Sequence, residues 1–173
     1  GTAMAQQPAP LSAQASNPET LGWMQGFPPS ASKTIRFTDP DYFAFPKLRW
    51  TVCHFRELMP SAGVDKGTVD ARPLPVALDA SLDNVTFTPL GASDKMTWNA
   101  AFDANYTDGV IVLHHGRVVY ERYDGCLTPT TLHGAMSVTK SLTGLLGEVL
   151  VAEGKLDDTA LVASVIPELK GSA

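Results

Sequence analysis

The sequence predicts an α/β (α+β) fold in which an antiparallel hairpin is covered by helices. Three observations predict it. Residues 110–113 form a continuous β-branched and aliphatic run, His115-Gly116 reads as a turn, and residues 118–123 read as a returning strand. Leu142, Leu145, Leu146, Val149 and Leu150 recur at i, i+3, i+4, i+7 and i+8, one apolar helical stripe. The first strand is apolar without a break, which indicates burial on both faces and helices on both sides of the sheet.

The elements follow in order. Residues 1–48, rich in Pro, Ala, Ser and Gln, lack periodicity and read as an extended N-terminal arm draped over a folded part, residues 49–173. Trp23, Phe27, Phe37, Tyr42, Phe43 and Phe45 should anchor the arm's second half. RWTVCHFRELMPS (49–61) reads as a short helix or turn that ends at Pro60. In the next helix Ser93 is the expected N-cap, with Asp94 in the first turn and Met96, Ala100 and Phe102 or Trp98 facing inward. The long helix after Ser137 should end at Gly154 as its C′ residue, and Gly144 and Gly147 leave room for another element to approach. A second short helix, capped by Asp157 or Asp158, should stop at Pro167.

Composition removes several function classes. With 173 residues, 44% hydrophobic and 18% charged, the chain can bury a core. Its net charge of −5 and the absence of a basic stripe argue against nucleic acid as a partner. No stretch has the length of a transmembrane segment. Cys53 and Cys126 form no CxxC pair and are expected as two partly buried free thiols. His54, His114, His115 and His133 show no metal-ligand spacing, so neither metal nor cofactor is called for. Ala3-Met4-Ala5 fits the end of a cleaved secretory signal, which points to a periplasmic or secreted protein. A cloning remnant and a cytoplasmic location form the competing reading.

The chemistry concentrates at Ser137 and Lys140. On a helix, residues three apart share a face, so the serine hydroxyl and the lysine amine can touch. The unpaired N–H groups and positive dipole end of a helix N-terminus disfavour an ammonium ion, as burial would. A neutral lysine can take the proton of Ser137, and the Ser137 N–H can serve as one oxyanion donor. SxxK alone is a weak signal, since Ser30-Ala31-Ser32-Lys33 is a second copy with no helix pattern after it. In the competing reading Ser137 is a helix cap and Lys140 a solvated residue. A lysine in the first turn, however, opposes the dipole.

The segment MSVTKSLTGLLGEVLVAEGKLDD…VIPEL resembles the nucleophile region of the serine β-lactamase and penicillin-recognising superfamily. RWTVCHFRELMPSAGV and TDGVIVLHHGRVVYERY narrow the resemblance to the branch of the 6-aminohexanoate-dimer (nylon-oligomer) hydrolases, near class C β-lactamases and family VIII esterases. The resemblance runs over residues 49–169. It implies a β-lactamase/transpeptidase-like fold, an antiparallel sheet flanked by helices, of which this chain holds only the N-terminal portion. It also implies an acyl-enzyme route with Ser137 as nucleophile and Lys140 as base. The family's tyrosine motif and its Lys/His-x-Gly motif are not identifiable, and Tyr106, Tyr120 and Tyr123 are assigned no such role.

The expected function is thus a serine hydrolase that cleaves a small linear amide or carboxyl ester. The competing function is a non-catalytic protein of the same fold that binds a ligand or peptide. A downstream segment of the same protein, separated by a nick or truncation near Ala173, is expected to pair the open sheet edge and cover the apolar helix.

Overall fold

The computed structural model of the protein describes residues 9–65 and 67–171, so the expectations for Ala3-Met4-Ala5 and Ala173 lie outside the described residues. The chain forms two compact units, one ending at Gly134 and the other beginning at Ala135.

In the first unit, three one-turn helices precede the sheet: α1 (Pro18–Leu21), α2 (Leu48–Thr51) and α3 (Phe55–Leu58). Strands β1 (Thr86–Phe87) and β2 (Met96–Thr97) pair antiparallel, helix α4 spans Trp98–Ala104, and β3 (Gly109–His114) and β4 (Arg117–Tyr123) form the hairpin. His115 and Gly116 have φ of 49° and 75°, so both loop residues are left-handed. That is the two-residue turn whose twist matches the strands, and Gly116 supplies it without steric cost. A bulge between Val112 and Leu113 opposes Tyr120 and Val118, leaving Val119 as the extra residue. Beyond β4, Ala77 N–H donates to Val118 O and Asp79 N–H to Val119 O, both at 2.9 Å. Residues around Val76 thereby add a parallel bridge to the hairpin's outer edge.

Helix α4 starts later than Ser93. Thr97 is its N-cap, and the Thr97 hydroxyl accepts from Ala100 N–H at 3.1 Å. The Ser93-Asp94 signal loses because Met96 and Thr97 are drawn into the ladder with Phe87 and Thr86. Ala101 and Phe102 face inward instead of Ala100. Phe102 is covered by the Arg122 guanidinium 3.8 Å above its ring, and Trp98 meets Tyr120 edge-on at 6.0 Å. β3 does not become the doubly buried strand its composition predicts. Ile111, Val112 and Leu113 remain exposed, while α4 packs against β4 side chains.

Arg49 ties the arm to the sheet. It is 5% exposed, and its guanidinium donates to Ala13 O, to Ser16 Oγ at 2.8 Å and to Asp108 Oδ1 at 2.7 Å. This hub and the buried Ile35 anchor the arm, whereas Phe27, Phe37, Phe43 and Phe45 stay substantially exposed. Arg49→Met leaves Asp108 as an uncompensated, largely buried carboxylate. Thermal or urea unfolding should then show a loss of about 3–5 kcal/mol.

Cys53 and Cys126 are joined as a disulfide, which corrects the expectation of free thiols. The bond closes 73 residues of chain, a contact that no local spacing announces. Cys53→Ser/Cys126→Ser should lower stability by about 4 kcal/mol if the effect is unfolded-chain entropy. Comparing unfolding of that variant with unfolding of the wild type checks it.

The second unit holds α5 (Val138–Ala152), α6 (Val162–Val165) and a single 3₁₀ turn at Pro167–Leu169. α5 ends as its sequence predicts. Gly154 has φ of 68°, its N–H donates to Val151 O, and Lys155 N–H donates to Leu150 O at 2.8 Å. The paired bonds satisfy two of the helix's last carbonyls. Neither Asp157 nor Asp158 caps α6, whose N-cap is Leu161. The Asp157 carboxylate accepts from Thr159 Oγ1 at 2.6 Å and Thr159 N–H at 2.9 Å, closing a turn of its own. Those bonds, the hydroxyl first, hold the Asp157 carboxyl below its usual range.

Candidate active site

Ser137 and Lys140 are brought together. Lys140 Nζ donates to Ser137 Oγ at 3.2 Å, one turn apart at the start of the 15-residue helix α5. Ser137 has φ −70° and ψ −9°, helical values, and its side chain makes no capping bond. Ser137 thus occupies the N-cap position of α5 without the extended backbone and the bond to the N2 or N3 amide by which a capping serine acts. Here the hydroxyl faces the amine.

The backbone ahead of the serine is unusual. Met136 is left-handed, with φ of 46°, a conformation costly for a side chain of that kind. Ala135 O, Met136 O and Ser137 O accept from the N–H groups of Val138, Thr139 and Lys140 at 3.0, 3.1 and 3.0 Å. Ser137 N–H has no acceptor among the described residues. A hydroxyl in contact with an amine, beside an unpaired backbone donor at a helix N-terminus, is an arrangement that acyl-transfer chemistry can use. The sequence disclosed the serine and lysine but carried no signal for the strained methionine.

The second SxxK copy behaves differently. Residues Ala31–Lys33 form a single 3₁₀ turn, Ser30 Oγ lies 3.5 Å from Ser32 Oγ, and Lys33 Nζ sits over the Trp23 ring at 5.1 Å. No hydrogen bond between described residues joins Ser30 to the Lys33 side chain. The spacing alone is common to both copies; the helix that aligns hydroxyl and amine belongs to the one at Ser137.

Around α5, Leu142, Leu145, Leu146 and Val149 are all exposed, as are Ser137 and Lys140. Among the described residues, no group of three or more His, Cys, Asp or Glu is arranged to hold a metal. No described helix is long and apolar enough to cross a membrane. Tyr106 and Tyr120 are engaged in the first unit, donating their hydroxyls to Leu11 O and Asp83 Oδ1, each at 2.7 Å. Tyr123 donates to Glu121 at 2.6 Å, and that bond raises the phenol above its ordinary range.

Residues 100–173 match the family model described as Beta-lactamase. Over 129 residues the chain is 32% identical to the 6-aminohexanoate-dimer hydrolase of Paenarthrobacter ureafaciens, covering 73% of this chain and 30% of that protein. A solved structure described as "Putative 6-aminohexanoate-dimer hydrolase from Bacillus anthracis" matches with a TM-score of 0.69 at 28% identity. That match covers 83% of this chain and 36% of the other. The chain spans about a third of the length of these relatives.

Proposed function

Because the chain carries part of a β-lactamase-like fold and belongs with the serine β-lactamase-like superfamily near the 6-aminohexanoate-dimer hydrolase branch, we propose that it supplies the nucleophile and base of a serine hydrolase. Its substrate class is a small linear amide or carboxyl ester. The observation that carries the reading is the 3.2 Å contact between Ser137 Oγ and Lys140 Nζ, with the serine free of capping duty.

In the proposed reaction the neutral Lys140 amine accepts the hydroxyl proton as Ser137 Oγ bonds to the substrate carbonyl carbon. The carbonyl oxygen becomes an oxyanion beside the Ser137 N–H. Collapse breaks the C–N or C–O bond, and the amine or alcohol leaves with the proton that Lys140 carried. Water then attacks the acyl-serine, releasing the acid and restoring the hydroxyl. The need for a neutral amine favours a site closed to water.

A further segment of the protein is proposed to provide that cover. The exposed apolar stripe of α5 and the uncovered residues of β3 support it, since large apolar patches mark surfaces that bind something. Residues 49–173 would then be one part of the hydrolase domain, with the arm before it. The disulfide supports an oxidising compartment, periplasmic or extracellular.

Stopped-flow measurement on the whole protein with a p-nitrophenyl ester and a linear 6-aminohexanoate dimer tests the proposal. An ester burst of one equivalent followed by slower turnover, with release of free amine from the dimer, is expected. Saturable binding of the same compounds with no product would replace it with the ligand-binding reading.

A further inference from the structure

A cleft of about 400 Å³ is bounded by α3 and by residues 132–134, wholly within the first unit. Small-molecule sites usually measure about 300–1,000 Å³. Phe55 and Leu132 give the cleft apolar walls, and His54, Glu57 and His133 bring polar groups to it. The His54 ring is held rigidly. It stacks on Trp50, with centroids 3.9 Å apart and planes 2° from parallel, and its Nδ1 lies 2.6 Å from Trp50 O. A carbonyl oxygen can only accept, so Nδ1 carries the proton, and the neutral ring presents Nε2 as an acceptor. The same holds for His133, whose Nδ1 lies 3.0 Å from Gly134 O. Glu57 Oε1 lies 3.9 Å from His54 Nε2, and an ionised carboxylate also only accepts. Two acceptors thus stand side by side, too far apart to bond each other and with no donor to either among the described residues.

We propose that this cleft binds a primary alkylammonium ion. An ammonium nitrogen about 2.9 Å from each acceptor bridges His54 and Glu57, donating one N–H to Nε2 and one to the carboxylate. Its third N–H is left for water or for His133 Nε2. The charge-assisted bond to Glu57 orients the ligand. The alkyl chain then lies along Phe55 and Leu132, and Leu132, 62% exposed, offers apolar area to remove from water. Because Trp50 already fixes the His54 ring, little order has to be imposed on binding. Arg56 also lines the cleft, which makes an alkyl carboxylate the competing ligand. The carboxylate matches less well: both imidazoles offer it acceptors, and Glu57 repels it. Binding here requires no reaction at Ser137.

The test is an NMR titration of the whole protein, labelled with ¹⁵N-histidine, at about pH 8, above the ordinary histidine range. The probes are hexylammonium chloride and sodium hexanoate. The His54 spectrum is expected to show a protonated Nδ1 and a bare Nε2. Hexylammonium should shift the Nε2 resonance saturably, and hexanoate should not. Glu57→Gln should weaken hexylammonium binding about fivefold, as befits a partly exposed ion pair. His54→Phe keeps a ring to stack on Trp50 but loses both nitrogens, so binding followed by calorimetry should be lost. Ser137→Ala should bind as the wild type does. A His54 protonated at Nε2, no saturable shift, or a shift that Glu57→Gln leaves unchanged overturns the proposal. So does a preference for hexanoate that Arg56→Gln removes, which would make the cleft an anion site. Loss of binding in Ser137→Ala would move the ligand elsewhere and overturn it as well.

Discussion

Ser137→Ala should abolish turnover, with kcat for a p-nitrophenyl ester falling by about three to six orders of magnitude. Only the hydroxyl group is lost, and in the proposed route its oxygen forms the bond that the acyl intermediate requires. What remains is whatever positioning and a single N–H donor contribute to attack by water. Stability gives the companion readout. Ser137 makes no capping bond, so the melting temperature should barely move. A serine acting only as a cap would instead show a loss of about 1 kcal/mol and unchanged activity. The two readings therefore predict opposite pairs of results.

Lys140→Ala should slow acylation by about 10²–10⁴-fold, the usual contribution of a positioned general base. KM for the ester should change little, because Lys140 is placed toward the serine oxygen, at 3.2 Å. The deficit should shrink as pH rises, since hydroxide can take over the proton that the amine no longer accepts. Alanine at this position of α5 should leave stability unchanged or slightly higher, because alanine is the better helix former. Lys140→Arg should fail to restore the rate: guanidinium stays protonated at every working pH. A lysine with only a structural role would be replaced by arginine without loss.

What the sequence discloses is local. The Ser137–Lys140 contact follows from three-residue spacing on one helix, and α5 itself follows from a 3.6-residue stripe closed by Gly154. The β3–β4 hairpin is legible because two apolar runs flank a His-Gly turn. What it conceals depends on distant partners. Nothing near Arg49 in the sequence marks the partners that receive it, Asp108, 59 residues on, and the carbonyl of Ala13. Cys53 and Cys126 are 73 residues apart and offer no spacing to interpret. Ser93-Asp94 is a sound N-cap signal that a short β ladder overrides. Asp157 is a sound cap signal captured by the hydroxyl of Thr159. The packing of Phe55 against Gly134 belongs to the same class: a glycine in a loop has many explanations until its neighbour is seen.

The fold and the proposed chemistry meet at the start of α5. The strained Met136, the free Ser137 N–H and the amine one turn on occupy five consecutive residues.

The most direct measurement of the central claim is peptide mapping by mass spectrometry after the whole protein reacts with a fluorophosphonate. The account predicts one adduct per protein, on the peptide containing Ser137. It should be absent in Ser137→Ala and form far more slowly in Lys140→Ala. A protein that hydrolyses the ester yet carries its adduct on another residue, or carries none, would contradict the assignment of Ser137 as the nucleophile.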